Sequence, residues 1–236
     1  MLLRAVSVLR IGFGVLAAVA LGVQADRSAS QGHSLVDFFS FFTIESNVLA
    51  TVVLLWGGVA FFVGRRFVPD LLRGASVLYL AVTGLVYAVA LAHLEDQLTL
   101  PWVNDVLHRV MPLVVVVDWL LVPPYRRLHL VETARWLAFP LLFLAYTLIR
   151  GPVVDWYPYP FLDPRPHGYG RVAVSCVLVT LAFLALTALL TWLGNVLGAR
   201  RTGTPVVPVD PVSHPWRAQD VDHGCTRTAT PTPVQG

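Results

Sequence analysis

Lysine is absent from this 236-residue chain, and all seventeen of its basic residues are arginine. That excludes chemistry through a lysine Schiff base, as in a retinal pump or a pyridoxal enzyme. Charge of either sign is scarce, at 13% of residues, and the formal net charge is only +3. The arginines border apolar runs and form no groove-reading stripe, so no nucleic-acid partner is expected. Cysteine is scarce as well. Cys176 falls inside a long apolar run and Cys225 in a polar tail, which suits neither a disulfide framework nor a metal site. No P-loop, GxGxxG, GxSxG or HExxH pattern occurs, and no cofactor is expected. His33, His93, His108 and His167 fall on or near one expected side, but they are scattered over four elements. No metal is expected from them.

What the chain has in abundance is long apolar runs. Hydrophobic residues make up 56% of it, and the runs lie near 5–24, 41–63, 72–92, 103–122, 133–150 and 171–194. A spanning helix needs roughly 20 such residues, and only helices or closed barrels cross lipid. The runs show no strand-like alternation. The fold class is therefore all-α: a six-helix transmembrane bundle over 1–200, followed by a Pro- and Thr-rich tail over 201–236 that reads as disordered. The first run is longer than the roughly 7–15 residues of a signal-peptide core, so it reads as an uncleaved anchor.

Arginines sit on alternate borders: Arg4 and Arg10, then Arg65, Arg66 and Arg73, then Arg126, Arg127 and Arg135, then Arg200 and Arg201. The intervening connectors carry Asp26, Asp37, Glu95, Asp96, Asp155 and Asp163. The positive-inside rule puts both termini in the cytoplasm of a multi-pass protein of the plasma membrane.

Polar side chains inside such runs are costly and become site candidates. Thr43, Ser46 and Asn47 lie three and four residues apart, on one helix face at the outer end of the second run. Ordinary roles exist for them: a threonine hydroxyl bonded one turn back, or an asparagine holding helices together. The fourth run also begins outside, so His108 lies at a similar depth to Thr43. Pro112 cannot donate to the His108 carbonyl four residues earlier, and a kink or polar pocket is expected there. Asp118 is about 15 Å further along the same helix. Read as near the midplane, it needs a partner such as Tyr87, Tyr146 or an arginine, in a structural network or a proton relay. Arg150 and Arg171 border the fifth connector, where they suit snorkelling, lipid headgroups or a substrate carboxylate. That connector reads Tyr157-Pro158-Tyr159-Pro160-Phe161-Leu162-Asp163-Pro164. Its prolines forbid a regular helix, leaving an interfacial aromatic belt or a cap over a chamber mouth.

The segment Phe42-Thr43-Ile44-Glu45-Ser46-Asn47, then His108 with Pro112, then Arg150-Gly151 and Tyr157 through Asp163, resembles bacterial six-span proteins of the Pr6Pr membrane family. These are in turn distantly similar to the androgen-induced and androgen-dependent transmembrane threonine hydrolases of animals. The resemblance implies a hydrolase of fatty acid esters with Thr43 as nucleophile and His108 as general base. Beside it, Asn47 or Ser46 is expected to supply an oxyanion donor, and Arg150, Tyr157 and Tyr159 to contact a lipid ester drawn from the surrounding membrane lipids. The alternatives are a non-catalytic protein binding lipid or a partner, and a small-solute transporter working through Asp118.

Overall fold

The computed structural model describes residues 1–64, 68–92 and 99–201. Arg65, Arg66, His93, Glu95, Asp96 and the tail beyond Arg201, with His214, His223 and Cys225, lie outside the described residues. Among the described residues all regular structure is helical. Helix α1 runs over Leu2–Ser30, a short α2 over Leu35–Phe39, α3 over Phe42–Val63 and α4 over Asp70–Val86. Then come α5 over Pro101–Asp105, α6 over Met111–Leu121, α7 over Leu130–Thr133, α8 over Ala138–Val154 and α9 over Gly168–Arg201. π-Helical turns extend α4 through Tyr87–Leu91 and join α5 to α6 through Val106–Val110.

Five helices are long and apolar enough to cross a bilayer: Leu2–Ser30, Phe42–Val63, Asp70–Leu91, Leu130–Val154 and Gly168–Arg200. These five match the expected runs one, two, three, five and six, and they make the chain a multi-pass membrane protein. The expected fourth run is also helical, over Pro101–Leu121. It differs from the others in how closely its charges are spaced, with Asp105, Arg109 and Asp118 all inside positions 105–118. The outward faces of the bundle are covered by side chains such as Leu142, Ile149, Val177 and Trp192, which a lipid surround accepts and water would not.

Successive long helices run in opposite directions, so the bundle has two ends. At one end Arg150 pairs with Asp37, Leu100 N–H donates to Gln24 and Tyr159 meets Thr43. At the other, Tyr125 N–H donates to Asp70, and the side chain of Asn195 both donates to and accepts from the backbone of Leu128.

Close helix approach in lipid depends on small residues, because tails solvate leucine as well as protein does. Helices α1 and α3 make the most extensive pairing in the bundle. A Cβ on Gly58 would stand 2.6 Å from Ile11 Cγ1 and 2.8 Å from the Ser7 carbonyl oxygen. Gly14 meets Leu55 in the same way, and Ala17 and Ala20 are fully buried.

The second end of the bundle is held by charge. Asp118 accepts from Arg10 Nε at 2.6 Å and Arg10 Nη2 at 3.0 Å, and from Arg73 Nη2 at 3.1 Å. Arg73 also donates to the Val122 carbonyl at 2.7 Å, approaches Asp70 at 3.5 Å and lies over the Trp119 ring. Two arginines and two aspartates thus balance in a buried cluster joining α1, α4 and α6. This corrects the expected depth of Asp118. It stands one turn before Val122, beside the helix end, and its partners are two arginines rather than Tyr87 or Tyr146.

Two outcomes follow for the purified protein in detergent. Gly58→Ala should cost about 1–3 kcal/mol by overpacking, whereas Gly22→Ala, with open space at its Cβ, should be neutral or stabilising by about 0.5–1 kcal/mol; thermal unfolding of both variants reads the difference. Asp118→Ala takes the shared carboxylate from two buried guanidinium groups, leaving Arg73 with Asp70 and the Val122 carbonyl, and should cost about 3–5 kcal/mol, measured the same way.

Candidate functional site

Helix α3 starts where Ser40 and Phe41 leave helical geometry, with Phe41 extended at φ −89° and ψ 127°. Ser34 caps the preceding α2 by accepting from Val36 N–H at 3.2 Å. Phe41 supplies no side-chain cap to α3. The cap comes from elsewhere in the chain: the Tyr159 phenol oxygen accepts from Thr43 N–H at 3.2 Å. The first turn of α3 is thereby fixed, and Thr43 is buried within it.

Thr43 Oγ1 lies 3.2 Å from His108 Nε2. His108 Nδ1 lies 3.2 Å from the Asn104 carbonyl oxygen. A carbonyl can only accept, so Nδ1 carries the proton. Nε2 is then left with a lone pair, and the Thr43 hydroxyl donates to it. The imidazole is also stacked on Tyr87, with ring centroids 4.5 Å apart and planes 23° apart. The Tyr87 hydroxyl accepts from Asn104 Nδ2 at 2.6 Å. Asn104 and Tyr87 therefore set both the tautomer and the plane of the ring. Neither was assigned this role from the sequence, although Asn104 precedes His108 by four residues, the spacing of neighbours on a helix face.

The two π turns bring these groups together, and such turns recur at functional sites. In the turn before α6, Met111 N–H bonds to the Val106 carbonyl. The next donor in that register belongs to Pro112, which has none. The Leu107 carbonyl is consequently left without a helical donor, and Asn47 Nδ2 supplies one at 3.2 Å. Pro112 thus acts on the backbone as expected, and in the register of the π turn the carbonyl it faces is that of Leu107.

Asn47 Nδ2 also donates to the Thr43 carbonyl at 2.9 Å. Both amide protons are committed to backbone, which removes Asn47 as an oxyanion donor. Ser46 is fully buried on α3 and outside the cavity lining, so it is no better placed. Asp118 belongs to the ion cluster near Gly57, since Arg10 Nη1 lies 3.4 Å from the Cβ position of that glycine. Gly57 is about 20 Å along α3 from Thr43. Asp118 therefore supports the fold and not this pair.

The fifth connector forms a cap. Tyr159 and Leu162 are buried beneath it, and Tyr159 stacks on Phe161 and meets the edge of Phe41. Arg165 ties Asp155 to Asp163 and lies over the Tyr157 ring. Arg165 holds the Asp163 carboxyl below the usual carboxylate range. Burial pushes the Tyr159 phenol above its ordinary value, opposed in part by the hydrogen bonds of Thr43. Tyr157 packs against Gly151, where a Cβ would come within 2.1 Å of the ring. Arg150 is engaged by Asp37 and covers Trp156. Of the three expected substrate contacts, then, Arg150 and Tyr157 build the cap, while Tyr159 turns inward.

Beneath the cap lies an apolar cavity of about 170 Å³ between α4, α8 and α9, with Thr43 and Tyr159 in its wall beside Thr83, Phe143, Cys176 and Phe183. Among the described residues no three His, Cys, Asp or Glu side chains converge as a metal site. No protein-family model matches the chain, and no curated protein or solved structure matches it either.

Proposed function

We propose that this chain is a six-span plasma-membrane protein with both termini in the cytoplasm. In this reading it hydrolyses lipid esters with Thr43 as nucleophile and His108 as general base. The observation that carries it is the 3.2 Å approach of Thr43 Oγ1 to His108 Nε2, with Nδ1 committed to the Asn104 carbonyl. A threonine hydroxyl is a weak nucleophile until a base removes its proton. A neutral imidazole in reach of it is such a base. The adjoining cavity is apolar and lies against lipid-facing helices, which suits an acyl chain entering sideways from the bilayer. In this reading Pro101–Leu121 is the sixth span, and the acidic connectors face outward with the pair near the outer rim.

A non-catalytic reading is favoured by a different observation. Thr43 bonds Tyr159 and His108, and Asn47 bonds the Leu107 carbonyl, across three parts of the fold, as interhelical polar contacts do without any chemistry.

Turnover of a p-nitrophenyl ester of a medium-chain fatty acid separates the two. In the hydrolase reading Thr43→Ala abolishes turnover, and His108→Ala lowers kcat by about 10²–10⁴-fold, with thermal unfolding little changed. A fluorophosphonate probe labels Thr43 in the parent. Turnover by Thr43→Ala equal to that of the parent sinks the hydrolase reading. Acidification should also lower activity, because a protonated Nε2 cannot accept from Thr43.

A further inference from the structure

Ester cleavage through Thr43 needs a donor for the oxyanion, and the side chains expected to provide it do not. We infer that the Tyr159 phenol is that donor, an assignment that rests on the hydrolase reading above. Three features place it. First, Tyr159 Oη is 3.4 Å from Thr43 Oγ1 and shares the cavity wall with it. Second, its lone pair already accepts from Thr43 N–H, so its own proton is the part directed elsewhere. The accepted bond polarises the O–H and strengthens it as a donor. Third, the ring is clamped by Phe161 and Phe41, so the hydroxyl is preorganised and needs little rearrangement when charge develops.

In the resting protein the hydrogen bonds run from Tyr159 O–H to Thr43 Oγ1 and from Thr43 O–H to His108 Nε2. When Thr43 Oγ1 adds to the ester carbonyl carbon, its proton passes to Nε2 and the carbonyl π pair moves onto oxygen. Tyr159 transfers its hydrogen bond to that oxygen and keeps its proton. The C–O bond to the alcohol then breaks, and the alcohol leaves with the proton held on Nε2. Water repeats the sequence on the acyl-Thr43 ester and releases the fatty acid. The charged side chain facing the phenol from α3 is Glu45, whose carboxylate would oppose ionisation of Tyr159. Burial acts in the same direction, which favours the protonated phenol that a hydrogen-bond donor requires.

The test uses the full chain in lipid nanodiscs with the same ester. Tyr159→Phe keeps the ring and removes the hydroxyl. The expected result is a fall in kcat of about 10²–10³-fold with KM within about twofold of the parent. A kcat equal to that of the parent overturns the assignment. Because the phenol also caps α3, a second variant guards against misfolding: trifluorotyrosine at position 159, which keeps the hydroxyl but ionises at lower pH. It should add an alkaline limb to the kcat profile that the parent lacks, since an ionised phenol no longer donates. A profile without that limb overturns the assignment even if Tyr159→Phe fails to fold. Full turnover by Thr43→Ala would instead remove the hydrolase reading itself, so the two failures are distinguishable.

Discussion

The Leu107 carbonyl has no donor on its own helix, because the π turn aligns it with Pro112. In water this would matter little. In a bilayer each unsatisfied backbone group costs several kcal/mol, so a partner must come from another helix. Asn47 fills that need, and the rest of the site depends on the contact. It fixes the first turn of α3 against the π turn and thereby sets Thr43 beside His108. The same side chain returns its second proton to the Thr43 carbonyl, which locks its own rotamer. A proline in one helix and an asparagine in another are thus a single feature of the fold.

Polar groups are divided between the two ends of the bundle. The second end holds charge, with Arg10, Arg73, Asp70 and Asp118 balanced in one cluster. The first end places neutral donors and acceptors in direct contact with Thr43, and its charges lie around them, among them the Arg150–Asp37, Arg165 and Arg109–Asp105 pairs and Glu45. This separation has a chemical consequence. A carboxylate near His108 would favour the imidazolium, whereas the Asn104 carbonyl orients the ring without adding a full charge. An imidazole that must accept a proton from Thr43 is better served by the second arrangement.

Five of the expected span positions were legible in the sequence because hydrophobic length is nearly sufficient to define them. The meeting of Thr43 and His108 was legible as well, since opposite directions of successive spans place positions near the starts of runs two and four at one depth. What could not be read was the hydrogen-bond register. The α register points to His108 as the carbonyl that Pro112 deprives, and only the π turn aligns Leu107 with that proline as well. Ion pairing was legible in kind but not in identity. An arginine was foreseen for Asp118, yet Arg10 and Arg73 are far from it in sequence, and their convergence depends on how α1 and α4 pack. Arg150 carries no sequence signal that separates an internal carboxylate partner from a substrate one. Asp37 is simply within its reach.

The connector from Tyr157 to Asp163 shows why Tyr159 could not be told from its neighbour. Two tyrosines alternate with two prolines, and without helical or strand periodicity nothing in composition says which ring turns inward. The structure decides it through Gly151. With no Cβ there, the helix surface accepts the Tyr157 ring directly against it, and this holds the connector close to the end of α8. Two residues later the extended backbone of Tyr159 (φ −134°, ψ 135°) aims its ring at the uncapped start of α3. That helix end needs an acceptor for Thr43 N–H, and the phenol oxygen meets the need. Capping and catalysis would ask the same thing of the site, a hydroxyl held firmly at the first turn of α3. A fold that satisfies its backbone at this point has therefore also placed a hydrogen-bonding hydroxyl beside Thr43.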